Sequence, residues 1–584
     1  MKNSYKWSIL SITTFLLIGC GGGGDNSSST NTGNSVEQNR SEVEEEQLSL
    51  LDRGFVLSTP YGIEVEEKSP ISNQIIKDNI EVITDNNLTY HDSNLFANVS
   101  LQEVNPIKDI QFISNSDLLI ITHEDFVDEL KPLKRHKDAT GMPTTIVTWQ
   151  ELVTKFDGRD DAEKIKKAIA YYAKESKIKY VMLVGDVDKF PVRYCKVYDN
   201  VIWGDGWVST DLYYADIYKD GKFASWDGNN NNKFCERVAV ESNPKGRLIN
   251  LDQIEANIDI PVGRVPASTA EEVENYVHKI IVYEKGGYKD YMNNALLLVP
   301  GNDKGDDAYP GSTALKDSVA REFSRYPIIR KLSNLKPNNV VINVIKKYHN
   351  LRPQDISKSI EDGVGFINFA GHGAYWGWSL GYNNIDYKWT SFGRSDISSL
   401  KNQDKFPIIF SVACSTGRYI FDKKFKAKNG KDFDLSVSCK YDPNNHIQGC
   451  LPAPQANPLA EYMPEPSTIQ PAKYDIDSMA EYFLVKGRDN GAIAFMGSTD
   501  ATQGAAQTID QYFSSIYSLE FSWQKNIENP TLGDFWKYTI NTYNKNHVNM
   551  DKEESNNWRA DIPFAHLLKY HLFGDPSLRA WGIE

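Results

Sequence analysis

No stretch of this 584-residue chain gathers lysine and arginine into a basic tract, and 64 such residues against 78 acidic ones leave a formal charge of -14. Phosphate binding needs clustered cations, so a nucleic-acid partner is excluded on charge. Neither a C-x-x-C pair nor a cluster of histidine and cysteine occurs, which leaves a zinc site without ligands. Apolar runs of bilayer length are missing as well. The longest candidate, Ile9 to Gly19, is too short to cross as a helix. Cysteine is sparse, with six residues at 20, 195, 235, 414, 439 and 450. With 40% hydrophobic residues and a mean hydropathy of -0.48, the remainder reads as an ordinary globular protein, large enough for two to four packed units.

The short apolar run has a purpose. Lys2 and Lys6 precede it and Leu17-Ile18-Gly19-Cys20 closes it, the layout of an export signal over 1–19. The closing tetrapeptide resembles the bacterial lipobox, which implies a diacylated Cys20, membrane attachment through that lipid, and residence in the bacterial cell envelope. Gly21 carries no inner-membrane retention signal, so the outer membrane or cell surface is expected. Residues 20–47 are small, polar and acidic and read as a flexible tether. Residues 48–110 read as a small β-rich entry segment or propeptide remnant.

From Asp117 short apolar runs alternate with amphipathic stretches, the pattern of βα units around a buried, mostly parallel sheet with helices on both faces. The runs are 118–122, 144–149, 180–186, 295–300, 364–370, 407–413 and 492–497. Helices are expected over 161–177, 269–285 and 312–326. The fold class is α/β, in two subdomains spanning 111–290 and 291–584. A Pro- and Asn-rich insertion, 421–477, interrupts the second. If Cys20 is acylated and Cys414 stays a thiol, the simplest disulfides are Cys439 with Cys450 and Cys195 with Cys235; the connectivity is open.

Two of the runs end in reactive residues. VGFINFA leads into Gly371-His372-Gly373, and PIIFSVA into Cys414-Ser415-Thr416-Gly417. Chemistry in open parallel sheets collects at the carboxyl ends of strands. If these strands are neighbours, an imidazole and a thiol emerge at one rim, a nucleophile and its proton-transfer partner. His372 favours the Cys414 thiolate and can protonate a departing amine. Glycine at 373 admits a substrate carbonyl close to the backbone, so the N–H groups of Gly373 and Cys414 are candidate oxyanion donors. Trp376 and Trp378 are candidate substrate-pocket residues.

GFINFAGHGAYWGW (365–378) followed by PIIFSVACSTG (407–417) resembles the His-then-Cys pair of the gingipain family of bacterial cysteine peptidases, relatives of caspases and legumain. Segments at 180–192, 210–218, 261–284, 478–484, 491–499 and 571–581 resemble the family in the same order. The resemblance implies a caspase-like fold of two subdomains and endopeptidase activity through a Cys-His dyad, Cys414 and His372, with polypeptides as substrates. Where Arg-specific members hold an acidic residue in the primary pocket, Thr313 stands here. Two other readings stay open: a transpeptidase of the same clan, and a surface lipoprotein that binds partners on an inactive peptidase scaffold.

Asp227, Asn229, Asn231 and Glu236 place oxygen donors at alternate positions with a later carboxylate, as calcium loops do, although the central glycine and twelfth-position glutamate of an EF-hand are missing. Two readings stay open there, a structural calcium ion and a plain Asn-rich turn. No cofactor is needed for the chemistry.

Overall fold

The uninterrupted apolar runs become the buried strands of a single sheet. The computed structural model describes residues 101–110, 115–196, 207–231, 252–298, 352–383, 388–419, 477–502, 531–548 and 562–580, with short stretches between them. Among the described residues, nine strands form the central sheet: β1 (Leu118–Thr122), β2 (Thr144–Thr148), β3 (Tyr180–Val184), β4 (Val262–Val265), β5 (Ala295–Leu298), β6 (Phe366–Ala370), β7 (Ile408–Val412), β8 (Ala494–Ser498) and β9 (Tyr570–Gly574). Their order across the sheet is β5-β6-β7-β8-β9-β4-β3-β1-β2. Strands β5 to β8 pair in parallel, as do β4, β3, β1 and β2. Strand β9 runs antiparallel to β8 and meets β4 where Phe573 lies opposite Arg264.

The two expected subdomains therefore contribute to one continuous sheet, with the last strand in sequence set at their seam. Most strands are buried at every position, as a sheet covered on both faces requires. Helix α1 (Val127–Ala139), α2 (Asp161–Glu175), α3 (Ala270–Lys285), α4 (Pro353–Asp362), α5 (Leu532–His547) and α6 (Ile562–Lys569) supply the covering layers. Local sequence sets where two of them begin. Asp160 accepts the Glu163 N–H ahead of α2, and Thr269 with Glu272 forms a reciprocal capping box on α3. The expected helix over 312–326 and Thr313 lie outside the described residues.

Buried charge lies beside and across the seam. Arg264 on β4 donates from Nε and Nη2 to Asp211, both at 2.6 Å, and from Nη1 to the Gly185 carbonyl at 2.9 Å. Burial alone would raise the Asp211 carboxyl, but the Arg264 guanidinium outweighs it and holds the group well below the usual carboxylate range. Beyond β9, Asp575 and Glu284 each lie 2.7 Å from Lys137 Nζ, and His136 Nε2 lies 2.8 Å from Glu284. This buried cluster fastens the chain after β9 to α1 and α3.

Candidate active site

Strands β6 and β7 are parallel neighbours, and their last paired residues are Ala370 and Val412. His372 and Cys414 each lie two residues further on, so both stand at the same rim of the sheet, on adjacent strand ends. Backbone contacts continue past the ladder: Gly371 N–H donates to the Val412 carbonyl at 3.1 Å. A Cβ atom on Gly373 would lie 2.7 Å from Ala413 Cβ, 2.9 Å from Thr416 Cγ2 and 3.2 Å from the Cys414 carbonyl oxygen. The glycine is required because the turn after the histidine lies directly on the turn that carries the thiol.

Cys414 forms no disulfide and is 9% exposed. The next residue, Ser415, has φ +57°, in the left-handed region, which bends the chain sharply after Cys414. That turn is pinned from two sides. From the end of β8 and the loop beyond it, the Ser498 carbonyl accepts the Gly417 N–H and the Asp500 carbonyl accepts the Ser415 N–H, both at 2.9 Å. From the segment that follows the insertion, Ala480 N–H donates to the Thr416 carbonyl at 3.1 Å, while Met479 N–H donates to the Tyr375 carbonyl at 2.6 Å. One short segment thus holds both reactive turns. Sγ itself accepts from Thr502 N–H at 3.4 Å and lies 3.7 Å from the Thr502 carbonyl, to which a thiol donates.

A sequence model of peptidase family C25 matches residues 113–437 and 468–581, three quarters of the chain and both reactive turns. The chain belongs to peptidase family C25. Gingipain R1 of Porphyromonas gingivalis is 19% identical over 330 residues, covering 56% of this chain and 26% of the relative. Gingipain R2 of the same species is 18% identical over 330 residues, covering 56% and 35%. The C25 chain thus spans about a quarter to a third of those relatives. Among solved structures, the Arg specific cysteine proteinase gingipain R is 15% identical with a TM-score of 0.47, covering 81% of this chain and 79% of that one. The complex of the Porphyromonas gingivalis RgpB pro- and mature domains gives 15% and 0.48, covering 80% and 79%.

Not every expected residue of this C25 chain sits at the rim. Trp376, just after the histidine, is 39% exposed and remains available to a substrate. Trp378 does not line a pocket, and that expectation is corrected: it is fully buried, stacked on Phe369 with ring centroids 4.6 Å apart, because a hairpin (Gly373–Ala374 with Gly377–Asn383) turns it inward. Its indole N–H donates to Ser411 Oγ at 2.9 Å, and Ser411 Oγ lies 2.9 Å from Thr416 Oγ1. The histidine hairpin and the cysteine turn are therefore linked through three side chains.

Cys195 and Cys235 form a disulfide. Cys439 and Cys450 oppose each other in a short antiparallel ladder, with side chains outside the described residues. Cys20 and Glu236 also lie outside them. Asp227 is fully buried; its Oδ2 pairs with Arg159 and its Oδ1 accepts the Asn231 N–H at 3.0 Å, as does Asn229 Oδ1 at 3.0 Å. These donors fit a divalent cation poorly, since a guanidinium and backbone N–H groups already occupy their oxygens. Among the described residues, no group of three His, Cys, Asp or Glu side chains could hold a metal ion. Sequence reasoning passed over Thr502 and the 498–502 turn; the only signal was the Gly-Ser-Thr that ends an apolar run.

Proposed function

We propose that this chain is a cysteine endopeptidase in which Cys414 attacks a peptide carbonyl and His372 handles the proton. The reading rests on one observation: adjacent parallel strands deliver these two residues to one rim, with a backbone N–H already directed at the sulfur. The thiolate adds to the carbonyl carbon, and the carbonyl electron pair moves onto oxygen, toward the N–H groups of Gly373 and Cys414. Collapse breaks the C–N bond, His372 protonates the leaving amine, and water then hydrolyses the thioester. Trp376 offers an apolar wall beside the histidine.

Cys414→Ala and His372→Ala should each lower hydrolysis of a diverse peptide library on the order of a thousandfold or more. Folding, followed by circular dichroism, should be unchanged. Full activity in the Cys414→Ala protein ends the reading. The same assay with an added amine separates hydrolysis from transpeptidation by product mass, and an inactive binding scaffold would react with no peptidyl electrophile.

The address is part of the proposal. Acylation at Cys20 would hold the enzyme at the bacterial envelope by a tether, which metabolic labelling with a fatty acid tests; a Cys20→Ala protein that still takes up label removes it. Calcium at 227–236 is not part of the proposal, since Asp227 is already paired with Arg159; titration with the metal alone tests this, and binding heat would restore the site.

A further inference from the structure

The peptide group that meets the Cys414 sulfur is gripped at its other end by a buried lysine. Thr502 N–H points at Sγ from 3.4 Å, and the carbonyl of the same amide, that of Ala501, accepts from Lys569 Nζ at 2.8 Å. Lys569 is 1% exposed, at the end of α6 where the chain enters β9. Because β9 is antiparallel to β8, with Tyr570 opposite Ser498, its first residues arrive at the carboxyl end of β8, beside the nucleophile turn. The 498–502 turn is fastened to that entry: Thr499 N–H donates to the Lys569 carbonyl at 2.9 Å.

Nitrogen and oxygen of one amide share a conjugated electron system, so a cation on the oxygen strengthens the N–H as a donor. Donors and cations near sulfur favour thiolate over thiol. We propose that Lys569 acts through the Ala501–Thr502 amide to stabilise the Cys414 thiolate: Thr502 N–H touches the reacting atom, and Lys569 is its positioning and polarising residue. This rests on the reading of Cys414 as nucleophile. The proton released by the thiol passes to His372. Charged or titratable groups on the elements around the turn are His372, Tyr375, Arg418, Tyr419, Asp477, Glu481, Tyr482, Lys486, Asp500, His566, Lys569, Tyr570 and His571. Asp500, the anion on the same turn as Thr502, has Arg418 4.0 Å away.

The test is the pH dependence of Cys414 alkylation by iodoacetamide in the full chain, read at the peptide level by mass spectrometry. Lys569→Met should move the alkylation midpoint upward by about one pH unit, slowing the reaction about tenfold below the wild-type midpoint. Lys569→Gln keeps a donor for the Ala501 carbonyl and loses only the charge, so it guards against misfolding of the first variant and should shift the midpoint in the same direction. Thr502→Pro removes the N–H, and combining it with Lys569→Gln should add nothing further, because both act on one chain of contacts. A wild-type midpoint in folded Lys569→Gln protein, or additive shifts in the double variant, overturns the inference. Alkylation needs no peptide cleavage. A wild type that labels with the expected shifts yet cleaves nothing would sink the peptidase reading alone.

Discussion

At position 373 the structure asks for the smallest residue because the neighbouring turn lies directly against it. A methyl group there would press on Ala413, Thr416 and the Cys414 carbonyl together. Gly373→Ala should therefore lower kcat by about a hundredfold by displacing an oxyanion donor, with a small change in KM; an unaltered kcat would remove Gly373 from the mechanism. Trp378 is read in the opposite sense from its surface-facing neighbour. Trp378→Phe keeps an aromatic ring to stack on Phe369 but strips the donor from Ser411. It should cost about 1 kcal/mol in urea unfolding and reduce kcat by loosening the two reactive turns against each other. That His372 and Cys414 follow adjacent strands was legible because each ends an apolar run and the two runs are successive in sequence. Trp378 was misread because a hairpin reverses which side of the chain faces inward, and sequence adjacency to the histidine carries no information about that.

Among the elements, the segment after the insertion is where pH should register. Glu481 closes a capping box with Ser478 and is buried. Burial first, then the nearby Asp186 and Asp477 carboxylates, push it well above the ordinary glutamate range. The folded protein therefore holds this proton where the unfolded chain has released it, so this group's contribution to stability falls as pH climbs above about 4.5. Glu481→Gln should flatten that decline and stabilise the protein by about 1 kcal/mol at about pH 8, compared by urea midpoints with about pH 5. Equal slopes in the two proteins would show that Glu481 is ionised when folded. Two strands escaped the sequence, and each has a local cause. β4 carries Arg264 in its middle, a charge that breaks the apolar signature and is tolerated only because Asp211 meets it. β9 follows α6 without a turn residue between them, so LLKYHLFG offers no boundary to read.

For the whole molecule, the two halves are held together by ion pairs that water does not reach. Lys137 between Glu284 and Asp575 shows the pattern: burial alone would lower its pKa, yet the carboxylates raise it. Removing the cation leaves buried anions uncompensated, so Lys137→Met should destabilise the protein by about 3 kcal/mol or more, seen as a lower denaturant midpoint. A loss under about 1 kcal/mol would mean that water enters the cluster. The parallel blocks were visible in sequence as two groups of apolar runs. Their fusion into one sheet was not, because the strand that joins them, β9, pairs with β4, a partner remote in the chain. That order has a temporal consequence. A ribosome delivers Cys414 and His372 well before β9, so the nascent chain carries its thiol without the lysine contact until β9 slots in. A copy in which β9 had not yet docked beside β8 would lack the lysine contact at the Ala501 carbonyl, so local folding order sets when that contact first forms.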